Sequence, residues 1–419
     1  MDFSKHPCFS AEARHTTGRI HLPVAPKCNI QCNFCNRKYD CVNESRPGVT
    51  STILSPEQAV SYLREVDKKV PNLAVIGIAG PGDPFANPEE TLKTMELAGA
   101  EFPEKILCLA TNGLGLPEYI DRLAALNISH VTITLNAVDP EIGANIYSWV
   151  RWGSRVMRGV EGAAFLLERQ TFAIKLLKEK DITVKINTVI IPGVNDEHAE
   201  EVARYAADLG ADVQNCIPLM HVEDTAFEGI ATPEAGDMQA LRFRTGKHLK
   251  QMSHCARCRA DAVGKLGEAN TAEIESMLAE AGRTKPSGER TKIAVASREG
   301  LFVNCHVGEA SQLWIFEYTN NRLELVDRRA TPIPGGGDER WHTLAQTIPD
   351  CFALLASGCG NSPIKILGDY GIRILALECM IKDAALPLFE GKPIPKMLEK
   401  KAGHCGAGTQ CGGTGTGCA

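Results

Sequence analysis

The sequence lacks the features that mark membrane, secreted and nucleic-acid-binding proteins. It contains no run of about 18 apolar residues, the length of a membrane span, and no signal-peptide pattern near its start. It also has no excess of positive charge, because its 419 residues carry a formal net charge of -6. A basic surface is the electrostatic mark of nucleic-acid binding, so that class is excluded. We therefore expect a cytoplasmic protein with neither a membrane nor a nucleic acid as its partner.

Cysteine, in contrast, is abundant, with 16 copies. Cytosolic thiols stay reduced, so a cysteine-rich protein there more often binds metal than forms disulfides. Cys28, Cys32 and Cys35 follow a CxxxCxxC spacing, and Cys41 comes six residues later. Three thiolates can hold three irons of a [4Fe–4S] cluster and leave the fourth iron open to a non-protein ligand. A structural zinc site needs four protein ligands, and a disulfide would leave one cysteine over. The spacing therefore predicts an iron–sulfur cluster.

Strand and helix patterns alternate from Arg19 to Leu219. The helix pattern SPEQAVSYLREVDKKV begins with Ser55 as N-cap, and Gln58 completes a capping box. Further helices are predicted from Pro88, from Pro117, over 162–180 and over 196–209. The strand patterns are RIHLPVA, LAVIGIAG, KILCLAT, HVTITLN, TVKINTVII and VQNCIPL. Six β/α units predict an α/β fold with a parallel sheet curved into a partial (β/α)6 barrel. Its reactive face is expected at the carboxyl ends of the strands.

A second, smaller α/β domain is predicted after the polar linker RTKPSGERT, residues 283–291. Its strand patterns are KIAVAS, QLWIFEY, RLELVDRR, CFALLAS and IRILAL, with helices near 341–348 and 364–369. The glycine-rich end, HCGAGTQCGGTGTGCA, predicts a flexible tail. The predicted boundaries are 1–268 for the barrel and its cluster ligands, 269–291 for a helix and linker, 292–398 for the second domain and 399–419 for the tail.

The cysteine loop after the first strand resembles that of the radical S-adenosylmethionine (SAM) superfamily. GIAGPGDP, at the end of the second strand, resembles the glycine-rich methionine-binding element of that superfamily. The resemblance implies that the amino and carboxylate groups of SAM bind the open iron, and that one electron from the cluster cleaves its S–C5′ bond. It also implies contacts with SAM at Gly80, Gly82, Asp83, Asn112, Thr134, Asn187 and Ile191. The alternative for each residue is ordinary strand-end polarity.

Longer segments resemble the NifB family, the maturases of the nitrogenase cofactor. They are HPCFSAEARHTTGRIHLPVAPKCNIQCNFCNRKYDCVNESRPGV, IAGPGDPFANPEETL and SHCARCRADAVGKLGE. The second domain resembles the NifX-like, ribonuclease H-like module that carries cofactor precursors. This resemblance implies nitrogenase cofactor biosynthesis, in which SAM-dependent carbide insertion and fusion of two [4Fe–4S] substrate clusters give an eight-iron, carbon-centred precursor. The partners implied are a ferredoxin or flavodoxin electron donor, an iron–sulfur cluster donor, and precursor carrier and cofactor scaffold proteins.

Soft ligands outside the cysteine loop are more numerous than one cluster needs. Cys108 shares strand parity with Asn112, so we expect it to point into the barrel. Cys255 and Cys258 form a CxxC half-site for a cluster. With two substrate clusters implied, we assign Cys41, Cys108 and His21 to one, Cys255 and Cys258 to the other, and Cys8 to complete either. The alternative for Cys108, and the favoured interpretation of Cys216, is a small buried hydrophobe.

Further functional residues are predicted outside the metal ligands. Glu44, beside Cys41, is predicted to move protons, although it could be an idle exposed loop acid. His306 and Cys359 are predicted to contact the cofactor precursor in the second domain, although ordinary loop residues would occupy the same places. Two alternative functions remain: another radical SAM enzyme with auxiliary clusters, and a non-enzymatic iron–sulfur scaffold or carrier.

Overall fold

The computed structural model describes residues 5–10, 12–50, 52–285 and 289–398. The chain divides into two compact units, of which the first ends at Gly282 and the second begins at Arg283. The predicted tail, with Cys405, Cys411 and Cys418, lies outside the described residues, as do positions 286–288 of the predicted linker. Within the described ranges, no helix combines the length and the apolar character needed to cross a bilayer.

The first unit alternates strands and helices along the chain. Its strands and helices are β1 (Gly18–His21), β2 (Ile30–Cys32), α1 (Pro56–Lys69), β3 (Leu73–Ile78), α2 (Pro88–Glu101), β4 (Ile106–Thr111), α3 (Ile120–Ala125), β5 (His130–Thr134), α4 (Pro140–Ile146), β6 (Tyr147–Trp152), β7 (Arg155–Met157), α5 (Gly159–Glu179), β8 (Thr183–Ile190), α6 (Ala199–Asp208), β9 (Val213–Pro218), α7 (Ala235–Thr245), β10 (Val263–Gly264) and α8 (Ala272–Ala281).

Six parallel strands form the main sheet of this unit. Among the described residues its order is β10-β1-β3-β4-β5-β8-β9, with each strand from β1 to β9 parallel to its neighbour. The short β10 adds to the edge in the antiparallel direction, pairing Arg19 with Gly264. Strands in sequence order, joined by helical crossovers, are the pattern of a β/α barrel left open. The predicted partial barrel is therefore confirmed.

The two faces of the main sheet have different environments. On β8, Val184 and Ile186 belong to the apolar core, whereas Lys185 and Asn187 line a cavity on the other face. Successive side chains of a strand point to opposite faces, so this alternation separates a structural face from a polar one. α1 covers the structural face and starts with the predicted capping box, in which the Gln58 N–H donates to Ser55 Oγ (3.3 Å). The polar face is therefore the place for ligands.

Some elements differ from the sequence prediction. The first strand ends at His21 instead of running to Ala25. The helix predicted from Pro117 begins as a 3-10 turn and becomes α-helical only at Ile120. A three-stranded antiparallel sheet, β2-β6-β7, was not predicted. The sequence patterns did not indicate this sheet because β2 is only three residues long. It also pairs with a strand far away in the sequence, with Ile30 opposite Val150.

The second unit contains one mixed sheet. Its elements are β11 (Lys292–Val295), β12 (Gln312–Thr319), β13 (Arg322–Ala330), α9 (Glu339–Thr347), β14 (Cys351–Ala356), α10 (Asn361–Asp369), β15 (Arg373–Ala376) and α11 (Ile381–Phe389). Among the described residues the strand order is β13-β12-β11-β14-β15, with β11, β14 and β15 parallel and β12 and β13 antiparallel. The smaller α/β domain is therefore confirmed, with α11 as a helix that the sequence patterns missed.

Candidate active site

The cysteines of the CxxxCxxC loop line a cavity of about 350 Å³, here called the loop cavity, together with Cys41 and Asn112. Cys32 lies on β2 and is buried, whereas Cys28 and Cys35 are partly exposed. The turn closes where the Cys35 N–H donates to the Cys32 carbonyl (3.1 Å). Three thiols of the spacing motif thus face one space, as the ligands of a single cluster must.

Asn43 explains why Cys41 lies so close to the cluster loop. Its Nδ2 donates to the sulfurs of Cys32 (3.6 Å) and Cys41 (3.7 Å). Its Oδ1 accepts a hydrogen bond from Nδ2 of the fully buried Asn136 (3.2 Å), whose own Oδ1 accepts from the Val189 N–H (2.8 Å). This chain of buried amides holds Cys41 at the loop cavity.

Two glycines allow the GPGDP loop to pack against the start of the cysteine loop. The Gly82 N–H donates to the Ala25 carbonyl (2.6 Å). A Cβ on Gly82 would lie 2.8 Å from that oxygen and 2.7 Å from the Lys27 carbonyl carbon, which real Cβ atoms essentially never do. Gly80 has a φ of +132°, which favours glycine. Both glycines are needed by the loop itself, and their contact with SAM stays a prediction.

Asp83 joins the ends of two strands at the loop cavity. Its Oδ2 accepts hydrogen bonds from Thr111 Oγ1 (2.9 Å) and the Asn112 N–H (2.6 Å), and its Oδ1 accepts from the Phe85 N–H (2.9 Å). Asn112 Nδ2 in turn donates to Asn29 Oδ1 in the cysteine loop (2.7 Å). The carboxylate therefore fixes Asn112 against the cluster loop, although burial raises the pKa of Asp83.

A second cavity of about 610 Å³ lies on the polar face of the sheet, here called the sheet cavity. The predicted ligands that line it are Cys8, His21, Cys108, Cys255 and Cys258, and two further histidines, His6 and His130, line it as well. Cys108 and His21 flank Gly77, since a Cβ there would lie 2.9 Å from the Cys108 sulfur and 3.2 Å from His21 Cδ2. The sequence assignment groups Cys41 with this pair, whereas in the structure Cys41 lines the loop cavity with the triad.

The hydrogen bond of His21 leaves one ring nitrogen suited to a metal. Nδ1 lies 3.0 Å from the carbonyl oxygen of Arg259, which can only accept, so Nδ1 carries a proton. Burial, and then the charge of Arg19, lowers the pKa of His21 to about 4, so the ring is neutral near pH 7. Nε2 is then unprotonated, as a metal-binding imidazole requires.

Glu44 lines both cavities. Thr134 Oγ1 donates to its Oε1 (2.7 Å), and Asn187 Nδ2 donates to its Oε2 (2.8 Å). Glu44 is therefore not an exposed loop acid, and burial raises its pKa to about 7. Thr134 and Asn187, predicted to contact SAM, thus hold this carboxyl group. Ile191 is fully buried in an apolar cluster that also contains Cys32.

Comparisons with known proteins agree with this arrangement. The model of the radical SAM superfamily matches residues 22–206, and that of the dinitrogenase iron-molybdenum cofactor family matches residues 289–390. A FeMo cofactor biosynthesis protein NifB from Chlorobaculum tepidum is 48% identical over 100% of this chain and 99% of its own length. The chain belongs to the NifB family. Members from Frankia alni and Herbaspirillum seropedicae are 40% and 41% identical, over 91% and 88% of this chain and 86% and 78% of their own lengths. The predicted radical SAM enzyme class is confirmed.

Burial keeps the cysteine thiols of this NifB-family chain protonated in the absence of metal. Burial raises the pKa of Cys28 and of Cys108 to about 12, and that of Cys8 to about 11. The metal-free protein therefore carries neutral thiols, and metal binding must release their protons. In the described part of the chain, no three His, Cys, Asp or Glu side chains converge on a single metal ion. The thiols instead spread around cavities, which suits a multi-iron group.

Sequence reasoning missed several residues of the NifB-family site. Asn43, which donates to the sulfurs of Cys32 and Cys41, carries no motif of its own. Lys185 is buried on β8 and lines the sheet cavity. The sequence pattern could have indicated Lys185, because it stands two positions before Asn187 in TVKINTVI and therefore lies on the same strand face. Arg19 is also buried, and its Nη2 donates to the Cys258 sulfur (3.1 Å).

Proposed function

We propose that this chain acts in nitrogenase cofactor biosynthesis by SAM-dependent carbide insertion and fusion of two [4Fe–4S] substrate clusters. The observation that carries the proposal is the pair of cysteine-lined cavities that share Glu44. One contains the triad suited to a SAM-binding cluster, and the other gathers five of the six further ligands predicted from the sequence. Membership of a family whose relatives are named FeMo cofactor biosynthesis protein NifB supports the same function.

The loop cavity fits a [4Fe–4S] cluster held by Cys28, Cys32 and Cys35. The three thiols of the motif line one space with Gly82 and Asn112, and Cys41, which also lines it, is proposed as a ligand of a substrate cluster. When bound there, the cluster supplies the electron that cleaves the S–C5′ bond of SAM. This arrangement leaves one iron for the amino and carboxylate groups of SAM, as the superfamily requires.

Some residues around the loop cavity are proposed to contact SAM, and others are proposed to hold those residues in place. Gly80, Gly82, Asn112 and Thr134 are proposed to contact SAM from the strand ends. Asp83 is proposed to act through its hydrogen bond to the Asn112 backbone, because its carboxylate oxygens already accept from protein donors. Asn187, proposed as a further SAM contact, also donates to Glu44, and Ile191 forms the apolar wall near the triad where adenine is proposed to pack.

Glu44 is the proposed proton-transfer residue. Its carboxyl group lies where the loop cavity meets the sheet cavity, so it can serve a carbon atom that passes between them. A pKa of about 7 allows the same group to accept and release a proton near neutral pH. Thr134 and Asn187 each hold one oxygen and keep the carboxyl group at that boundary.

The sheet cavity is proposed to bind the substrate clusters. One SAM donates its methyl group to a sulfide of a substrate cluster and leaves S-adenosylhomocysteine. A second SAM provides the 5′-deoxyadenosyl radical, which takes a hydrogen atom from that methyl group and leaves 5′-deoxyadenosine. The precursor then requires loss of the two remaining protons, transfer of the carbon from sulfur to iron with electrons from the ferredoxin or flavodoxin donor, and one further sulfide from outside the two clusters. Fusion of the clusters would then give the eight-iron, carbon-centred precursor. The proposed ligands that line the sheet cavity are Cys8, His21, Cys108, Cys255 and Cys258, and Cys41 is proposed to reach a substrate cluster from the loop cavity.

The second unit is proposed to bind the precursor before delivery. His306 pairs with Gly358 in a parallel bridge, and its Nδ1 accepts a hydrogen bond from the Gly308 N–H (3.1 Å). Cys359 is partly exposed next to this bridge. His306 and Cys359 thus lie on adjoining loops, which supports them as contacts for the precursor. A ferredoxin or flavodoxin, a cluster donor, and carrier and scaffold proteins are the proposed partners.

Anaerobic reconstitution of the full chain with iron and sulfide tests this function. The protein is expected to bind about twelve irons. With dithionite and SAM it should form both 5′-deoxyadenosine and S-adenosylhomocysteine, together with a product that activates apo-nitrogenase. Cys28→Ala should abolish both nucleoside products. The matched control is Cys216→Ala, because Cys216 is another cysteine of the first unit but is buried in a separate apolar cluster with Met238 and Leu241.

Other results would favour the alternative functions. About four irons and no S-adenosylhomocysteine would indicate another radical SAM enzyme. Iron binding without any SAM cleavage would indicate a scaffold or carrier. Glu44→Gln tests the proton step separately, because it should leave iron content and S-adenosylhomocysteine formation intact while it lowers the yield of precursor.

A further inference from the structure

Lys185 is a buried cation that the proposed chemistry does not yet use. It is 8% exposed, lies on β8 and lines the sheet cavity. Among the described residues it has neither a hydrogen-bond acceptor nor an ion-pair partner, and its ammonium group lies 5.9 Å from the centre of the Phe9 ring. Glu44 lines the same cavity, but its two oxygens accept from Thr134 and Asn187.

Lys105, which directly precedes β4, shows how the fold pairs a buried cation with a structural role. Lys105 is 6% exposed, and its Nζ donates to Asp67 (2.6 Å) and to the carbonyl of Leu73 (2.9 Å). Burial of a charge without such partners costs free energy. At Lys185 the ammonium group faces the thiols of Cys8, Cys255 and Cys108 and the carboxyl group of Glu44, but no atom of the described residues accepts a hydrogen bond from it. The lack of an acceptor points to a partner that is not part of the protein.

A second unpaired donor lines the same cavity. His6 is 2% exposed, and its Nδ1 accepts the N–H of Cys8 (3.2 Å). The proton of the neutral ring is therefore on Nε2, which is buried and has no acceptor within the described residues. Two N–H donors without acceptors and several thiols thus surround one space. Donors of this kind are suited to an anion with acceptor atoms on its surface.

We propose that Lys185 and His6 donate hydrogen bonds to the inorganic sulfides of an anionic iron–sulfur substrate cluster in the sheet cavity, and that Lys185 is a positioning residue for that substrate. The inference rests on the proposed function, since it needs a substrate cluster in this cavity. A cluster held by thiolates carries net negative charge, and hydrogen bonds to its sulfurs together with nearby charge set its reduction potential. The ammonium group therefore both holds the cluster and makes its reduction easier.

Lys185→Met tests the proposal in the full chain, with Lys185→Arg as the charge-retaining variant and Lys105→Met as the control. Without iron, Lys185→Met should melt at a higher temperature than the original protein, because an unpaired buried charge is gone. Lys105→Met should melt at a lower temperature, because Asp67 loses its partner.

Cluster binding should respond in the opposite order. After anaerobic reconstitution with ferrous iron and sulfide, Lys185→Met should lose the iron beyond the first four atoms to a chelator at least about tenfold faster. In a redox titration followed by electron paramagnetic resonance, the remaining substrate-cluster signals should shift to more negative potentials. Lys185→Arg should restore most of the retention, and Lys105→Met should retain iron like the original protein.

The outcomes separate the two proposals. If the original chain binds no iron beyond four atoms, the proposed function fails and this inference fails with it. If the original chain loads fully and Lys185→Met retains iron with unchanged potentials, only the role of Lys185 is refuted. A lower melting temperature or loss of folding in iron-free Lys185→Met would also refute it, because the lysine would then be structural.

Discussion

Gly82→Ala is the change that most directly tests how the GPGDP loop supports the cluster loop. A Cβ at this position would lie 2.8 Å from the Ala25 oxygen and 2.7 Å from the Lys27 carbonyl carbon. These are backbone atoms, so no side-chain rotation relieves the overlap, and the two segments must separate by about 1 Å. The separation strains the hydrogen bonds from the Gly82 N–H to Ala25 (2.6 Å) and from the Asp83 N–H to Lys27 (2.8 Å).

The expected magnitude combines overpacking and weakened hydrogen bonding. Overpacking costs about 1–3 kcal/mol, and each weakened hydrogen bond adds about 0.5–1.5 kcal/mol. The free energy of unfolding of the first unit should therefore fall by about 2–6 kcal/mol. Because Lys27 directly precedes Cys28, a displacement of about 1 Å moves a cluster ligand, and such a misplacement can lower a reaction rate by about a hundredfold.

The assay for Gly82→Ala compares thermal unfolding with 5′-deoxyadenosine formation from SAM after anaerobic reconstitution. The matched control is Gly236→Ala. Gly236 lies in α7 with nothing within 4 Å of its Cβ position, so alanine there should be neutral or stabilising. If Gly82→Ala kept both the melting temperature and the rate of the original protein, the argument from close backbone approach would be refuted.

The structure predicts the direction of the change in stability for three further substitutions. Asp83→Asn should destabilise the first unit by about 1–3 kcal/mol in chemical denaturation, because the amide group of Asn turns a donor toward a backbone or hydroxyl donor in either orientation. Lys105→Met should destabilise it by a similar amount, because Asp67 loses a partner 2.6 Å away. Arg329 holds the pKa of Asp350 below its usual range, so this carboxylate stabilises the second unit above the ordinary aspartate pKa and loses that effect as the pH falls. Unfolding of Asp350→Asn followed from pH 7 to pH 2 should therefore show a weaker acid dependence, and an unchanged one would contradict the ion pair.

Much of the fold follows from local patterns. The capping box at Ser55 and the six apolar strands could be predicted from the sequence, because they depend on neighbours within a few residues. The β2-β6-β7 sheet could not be predicted in this way, because it pairs Ile30 with Val150, which lies far away in the sequence. The role of Asp83 shows a similar limit. Its position suggested a ligand contact, but only the fold reveals that its oxygens accept from the neighbouring strand.

The sequence by itself determined the chemistry that is available: a thiol triad with one ligand too few, further soft ligands on both sides of it, and strands that bring their ends to one edge. Only the tertiary structure decided how these groups are divided. It places Cys41 beside the triad and puts Glu44 on the wall of both cavities. It also leaves Lys185 without a hydrogen-bond acceptor from the described part of the protein. The physical reason is that spacing along a chain fixes which groups can meet locally, whereas cavity walls and unpaired buried donors arise from packing between segments distant in sequence.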